Sequence, residues 1–240
     1  MRSYARHQLK QDAFATSTAE TISWAVENQS KLVVVGIILA VIAGAVIGGY
    51  FFVGYRDTQA RADLALAIQK LEAPIRPAGT PATSDVLSYG SPDERSKAAN
   101  ADFVHIANKY TFTQTAEVAR YFAGITYRDM NNNASAEQCF QKVADSRYPQ
   151  IASLAKMALA GVYHETNRNM QAVDIYKKLI DHPTTSVGKT TAQFALASLY
   201  ESMARPDDAR HIYEQMQKES PASGVAQLAN ERLQALSKAE

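Results

Sequence analysis

Apolar positions divide the chain into one continuous stretch and one periodic region. From Leu32 to Tyr55, 24 residues pass without a charged side chain. At a helical rise of about 1.5 Å each they reach about 36 Å, enough for a hydrocarbon layer of about 30 Å with some tilt. A cleaved export signal is shorter and closer to the start of a chain, and a buried core helix of this length would carry a polar face. The stretch therefore predicts a transmembrane helix over 32–55, surrounded by lipid.

Its flanks suit the headgroup zone. Trp24 and Lys31 precede it, and Tyr50, Phe51, Phe52, Tyr55 and Arg56 close it. The preceding tail carries Arg2, Arg6, Lys10 and Lys31; the segment just after carries Arg56, Arg61 and Lys70. That surplus favours an N-terminus inside and the remainder outside. Ala40, Gly44 and Gly48 fall on one helix face, where small residues permit close approach of a second helix in lipid. Glycine is also common in spans generally. Residues 1–31 form a tail with scattered apolar points at Leu9, Phe14, Ile22, Trp24 and Val26. It either lies on the membrane surface, docks to a partner or stays loosely ordered.

Beyond the span the pattern changes. Residues 56–73 read as a juxtamembrane helix. Residues 74–94 hold four prolines among Gly, Ser and Thr and read as a linker. Residues 95–240 are periodic. "YRDMNNNASAEQCF", "YHETNRNMQAVDIY" and "YESMARPDDARHIY" begin at Tyr127, Tyr163 and Tyr200, 36 and 37 residues apart. Each has an alanine nine residues on, at Ala136, Ala172 and Ala209, and an aromatic four beyond that, at Phe140, Tyr176 and Tyr213. Pro149, Pro183 and Pro221 follow. Ala99 and Phe103 keep the alanine-to-aromatic step upstream, but Gly90 stands at the tyrosine position, so this copy reads as half a repeat.

A period near 34 residues means stacked helical hairpins. The alanines let paired helices cross closely, the aromatics fill the wedge between hairpins, and the polar segments between tyrosine and alanine are turns. Ile151, Leu154, Ala155, Ala158, Leu159 and Val162 make an apolar stripe at helical spacing. Val225, Ala229, Leu233 and Leu236 give the last segment the one-sided pattern of a capping helix. The fold class is all-α: one transmembrane helix followed by an α-solenoid.

The tyrosine, alanine, aromatic and proline spacing, with small residues Gly124, Ala160 and Ala197 before the tyrosines, resembles the tetratricopeptide repeat. The early tryptophan of that repeat is absent and the period is two or three residues long. The full layout, together with "FVHIANKYTFTQTAEVARYFAG", is similar to the YfgM-like family. That resemblance implies a bacterial inner-membrane protein with its repeats in the periplasm. It further implies an ancillary role at the Sec translocon, with translocon subunits, periplasmic chaperones or emerging exported chains as partners. Scaffolding of another membrane complex is the alternative.

Composition adds limits rather than chemistry. The formal net charge is +1, so nothing draws the chain to nucleic acid. The five histidines show no paired-ligand spacing, and no cofactor, metal or small-molecule substrate is expected. Cys139, the single cysteine, reads as a small core residue. "PTTSVGKTT" echoes the end of a phosphate loop, but Pro183 stands where its first glycine belongs and no strand precedes it. It reads as the start of a helix, and the chain as no enzyme. On a solenoid the first helix of each hairpin lines a binding face. Its candidates are Arg120, Tyr121 and Arg128, then Lys156 and His164, then Gln193 and Glu201.

Overall fold

The computed structural model describes residue 26 and residues 28–77, 79–80, 87–219 and 224–238. Most of the N-terminal tail, with Trp24 and three of the four tail cations, lies outside the described residues, as does Pro221. The described residues form nine helices and two units, Met1–Gly54 and Tyr55–Glu240.

The first helix, α1 (Gln29–Glu72), contributes to both units. No proline interrupts it, so the expected span and juxtamembrane helix are one continuous element beginning three residues before Leu32. In the first unit every side chain from Gln29 to Phe52 is exposed. One 18-residue window has a mean hydropathy of 2.8, and the helix is long and apolar enough to cross a membrane. A Cβ added at Gly44 or Gly48 would meet nothing within 4 Å, so the small-residue face with Ala40 is uncovered among the described residues.

In the second unit the remainder of α1 packs antiparallel to α2 (Pro92–Lys109). Ala60 and Ala67 share a face and are fully buried with Ala99, Phe103 and Ile106. Ion pairs Lys70–Asp102 (2.5 Å) and Lys109–Asp63 (3.1 Å) line the edge. The upstream copy is therefore complete in space: α2 carries its alanine and aromatic, and residues 55–72 supply its first helix. A long linker replaces the short turn, which is why the tyrosine position falls on Gly90. The linker's ends are tied by an Ile75–Tyr89 bridge and by Arg76 donating to the Ser88 carbonyl at 2.7 Å. Ser91 caps α2, its hydroxyl accepting from the Glu94 amide at 3.1 Å, so that helix starts within the stretch read as linker.

Three hairpins follow: α3 (Gln114–Asp129) with α4 (Asn133–Ala144), α5 (Pro149–Glu165) with α6 (Asn169–Asp181), and α7 (Lys189–Ser202) with α8 (Pro206–Glu219). The final helix, α9 (Gly224–Lys238), packs on α8. The repeated tyrosines explain the turns. In each first helix the tyrosine carbonyl accepts the amide five residues on: Asn132 to Tyr127, Arg168 to Tyr163, Arg205 to Tyr200, at 2.7–2.9 Å. The residue between takes a left-handed backbone, Asn131 (φ 58°), Asn167 (φ 60°) and Ala204 (φ 54°). This is the Schellman closure of a helix end. The repeated alanines Ala136, Ala172 and Ala209 are fully buried at the crossings. Phe140, Tyr176 and Tyr213 are buried beside them. Phe140 stands within 5.8 Å of Tyr121, and Tyr213 within 5.9 Å of Phe194. Gly124 is a packing requirement, since a Cβ there would lie 2.6 Å from the Phe140 ring.

Candidate protein-binding grooves

The hairpin stack builds one groove twice. The first, about 220 Å3, runs between α2 and α4 with α3 as its floor, lined by Arg120, Ala123, Tyr127, Gln138, Cys139 and Lys142 among others. The second, about 210 Å3, runs between α6 and α8 over α7, lined by Gln193, Leu196, Tyr200, His211, Ile212 and Gln215 among others. These six residues sit 73 positions after the first six, the spacing of Tyr127 to Tyr200. The repeat therefore fixes the groove's shape while its chemistry varies. Arg120 and Lys142 make the first cationic, whereas Lys177, Asp208 and His211 give the second mixed charge.

The candidate residues divide by their position around the tyrosines. Arg120, Lys156 and Gln193 each stand seven residues before one. Arg120 donates to the Ala107 carbonyl at 3.1 Å and stays half-buried in the first groove. Lys156 is half-buried at the equivalent place in α5. Gln193 corrects the surface expectation. It is only 1% exposed, donating to Glu219 at 3.3 Å, because Glu219 and Lys189 (2.7 Å apart) close over it. Arg120 and Gln193 belong to grooves between consecutive second helices, not to a face lined by first helices alone. The periodicity gave their helix but not the neighbours on each side.

Arg128, His164 and Glu201 each follow a tyrosine directly. Arg128 lies near Gly161 of α5, where an added Cβ would stand 3.6 Å from its guanidinium. His164 is exposed and shares a 2.9 Å hydrogen bond with Asn169 across the turn. Glu201 accepts from the Tyr213 hydroxyl at 2.6 Å and lies 3.9 Å from Arg232, so it joins α7 to α8 and α9. Burial, reinforced by that bond, pushes the Tyr213 hydroxyl up to about 12. Burial likewise raises the hydroxyl of Tyr121, wedged against Phe122 and Phe140. Tyr121 and Glu201 thus hold the stack together more than they present a surface, whereas His164 is exposed.

Other features lay outside the candidate residues that the repeat pattern picked out. Arg168 forks onto Glu137 at 2.9 and 2.6 Å and lies over the Tyr163 ring at 4.4 Å, joining the second hairpin to the first. The Arg168 hydrogen bond holds the Glu137 carboxyl below its ordinary range. Arg205 stacks on Tyr200 in the same way, at 4.8 Å. An arginine five residues after a tyrosine was the available signal. Cys139 is half-buried at the groove edge, and burial pushes its thiol up, away from reactivity. Lys189, the lysine of the phosphate-loop echo, opens α7 and pairs with Glu219. Among the described residues, no three His, Cys, Asp or Glu side chains gather as a metal site.

The Tetratricopeptide repeat family matches residues 191–223, which include Tyr200, Ala209 and Tyr213. The match, with the all-helical hairpin architecture, fits a tetratricopeptide-like protein, and such repeats are protein–protein interaction modules. No curated protein matches the chain.

Proposed function

We propose that this chain is a membrane-anchored protein-binding module serving the protein-export machinery, and that it does no chemistry of its own. The observation carrying the reading is the recurrence of one groove at 73-residue spacing along hairpins of tetratricopeptide type. Open, half-apolar grooves with different rims suit extended or helical peptide segments better than a small substrate. The apolar half of α1 supplies the anchor. The resemblance to the YfgM-like family supports an inner-membrane site with the N-terminus in the cytoplasm and the repeats in the periplasm. There the grooves meet translocon subunits, chaperones or emerging chains.

Photo-crosslinking tests this directly. A photoreactive side chain at Gln138 or His211, in the full chain in its native membrane, is expected to yield discrete adducts with translocon subunits, periplasmic folding factors or secreted chains. The same group at Met170, which is exposed but outside both grooves, should not. Adducts confined to subunits of an unrelated membrane complex would replace the export role with scaffolding. Equal labelling from all three positions would remove the grooves as the binding site.

A further inference from the structure

Phe112 is the outlier of the solenoid. It is 77% exposed and holds a left-handed backbone (φ 71°) that bulky side chains avoid. Among the described residues the other left-handed non-glycine positions are Asn131, Asn167 and Ala204, each closing a hairpin turn. Phe112 lies instead in the loop between α2 and α3, where nothing in the repeat requires an aromatic ring in water.

Its surroundings are specific. Two residues past Tyr55, the last residue of the apolar stretch, Asp57 accepts the Thr115 amide at 3.0 Å. Arg56 donates to the Lys109 carbonyl and lies over the Tyr110 ring at 5.5 Å. The 110–115 loop is thus fastened to the first residues after the span. At about 1.5 Å of rise per residue, Asp57 stands about 3 Å along the helix from Tyr55, so a hydrocarbon layer ending at Tyr55 would put it within a headgroup layer several ångströms deep. Arg147 reaches back from the next loop, donating to the Phe112 carbonyl at 2.8 Å and to the Tyr148 hydroxyl at 3.0 Å. Those acceptors are neutral, as is the Tyr148 ring whose centroid lies 5.1 Å from its guanidinium, so among the described residues no carboxylate is paired with it. The nearby carboxylates of Asp57 and Asp63 are already engaged, by Thr115 and Arg61 and by Tyr110 and Lys109. Asp145, exposed at the end of α4, is the remaining acidic group of these two loops. One exposed aromatic, Phe112, set among Arg56, Lys109 and Arg147 with the half-buried Tyr148 beside it, matches the composition of a headgroup contact.

We infer that this end of the solenoid rests on the lipid surface, with the Phe112 ring at the boundary of headgroups and acyl chains and Arg147 among the phosphates. The inference rests on the reading of α1 as a membrane anchor and adds a second, peripheral attachment to it.

The test uses the full chain in vesicles of mixed zwitterionic and anionic phospholipid, with Trp24, the single tryptophan, replaced by Phe. Three single reporters are compared: Ile42→Trp in the span, Phe112→Trp, and Met170→Trp, which is exposed in the distant α5–α6 turn region. Bromine on the upper acyl carbons is expected to quench Phe112→Trp several-fold more than Met170→Trp, and addition of Arg147→Glu to reduce that quenching. Bromine on the lower carbons should quench Ile42→Trp. If Ile42→Trp is quenched while Phe112→Trp behaves like Met170→Trp, the lipid contact is wrong and the anchor stands; a protein partner would then own the ring. If Ile42→Trp is not quenched, the anchor reading fails and takes the inference with it. Circular dichroism of each variant confirms that the helices persist.

Discussion

Ala204 occupies the left-handed position that the other two turns give to Asn131 and Asn167. Its methyl carries a conformational penalty of about 1–2 kcal/mol that glycine escapes, set against glycine's larger loss of chain entropy. Ala204→Gly is therefore expected to stabilise the solenoid by about 0.5–1 kcal/mol, read as a rise of a few degrees in the melting temperature. A drop would mean that the Schellman closure is not what holds this turn. Gly124 gives the opposite sign. Its neighbour Phe140 is fully buried and cannot retreat from a Cβ at 2.6 Å, so Gly124→Ala should cost about 1–3 kcal/mol in the same melt. The equivalent places in the next two repeats, Ala160 and Ala197, already carry the methyl, fully buried. At this scale the sequence was partly transparent. Tyrosine, alanine and aromatic recur because each meets one packing condition, so their spacing revealed the hairpins. Turn chemistry was legible for the two asparagines and hidden at Ala204, because alanine gives no sign of a left-handed backbone. Phe112 was hidden for the same reason.

Single helices were easier to read than pairs of helices. Apolar stripes disclosed where each helix lies, and the proline cluster disclosed the break after α1. The juxtamembrane helix was expected, but its pairing with α2 was not, because a long linker disguises a hairpin whose turn residues are missing. Gln193 failed in a related way: its helix was right, yet burial depends on α8, which closes over it. Between elements, charged contacts supplement the apolar core. The Glu137–Arg168 fork ties α4 to the second hairpin's turn, and Lys189–Glu219 ties α7 to α8. Both carboxyls sit below their ordinary value of 4.5, Glu137 because of Arg168 and Glu219 because of Lys189. A carboxyl with a lowered folded value stabilises fully above its unfolded value and loses that contribution as pH falls through the folded one. Asp63, lowered by Tyr110 and then Lys109, acts in the same direction from an ordinary value of 3.8. Burial alone would raise Asp57, but its hydrogen bonds with Thr115 and Arg61 hold it below the same value. The melting temperature should thus stay level down to about pH 5 and fall below about pH 4.5. In Glu137→Gln the acid-side fall should be shallower. A wild-type profile that is flat to about pH 3 would contradict the assignment of these pairs.

For the molecule as a whole, the structure joins an apolar helix to a stack of hairpins with two equivalent grooves. The apolar half of α1 exposes a continuous hydrophobic surface that a soluble chain would have to cover. Its length and composition were legible at once, because a bilayer imposes one simple requirement, about 20 apolar residues in a row. The orientation proposed for it rests on a different signal, four cations before the stretch against three after it. The grooves were legible only as a repeat, not as a shape, because each needs three helices in register. Everything proposed for the chain's role depends on which compartment those grooves face. With Cys139 replaced by serine and Met170, exposed in the second hairpin, replaced by cysteine, intact cells can be treated with a membrane-impermeant maleimide. Labelling of intact cells is the predicted result, placing the grooves where exported chains emerge. Labelling that requires permeabilisation would place them in the cytoplasm and contradict the export role.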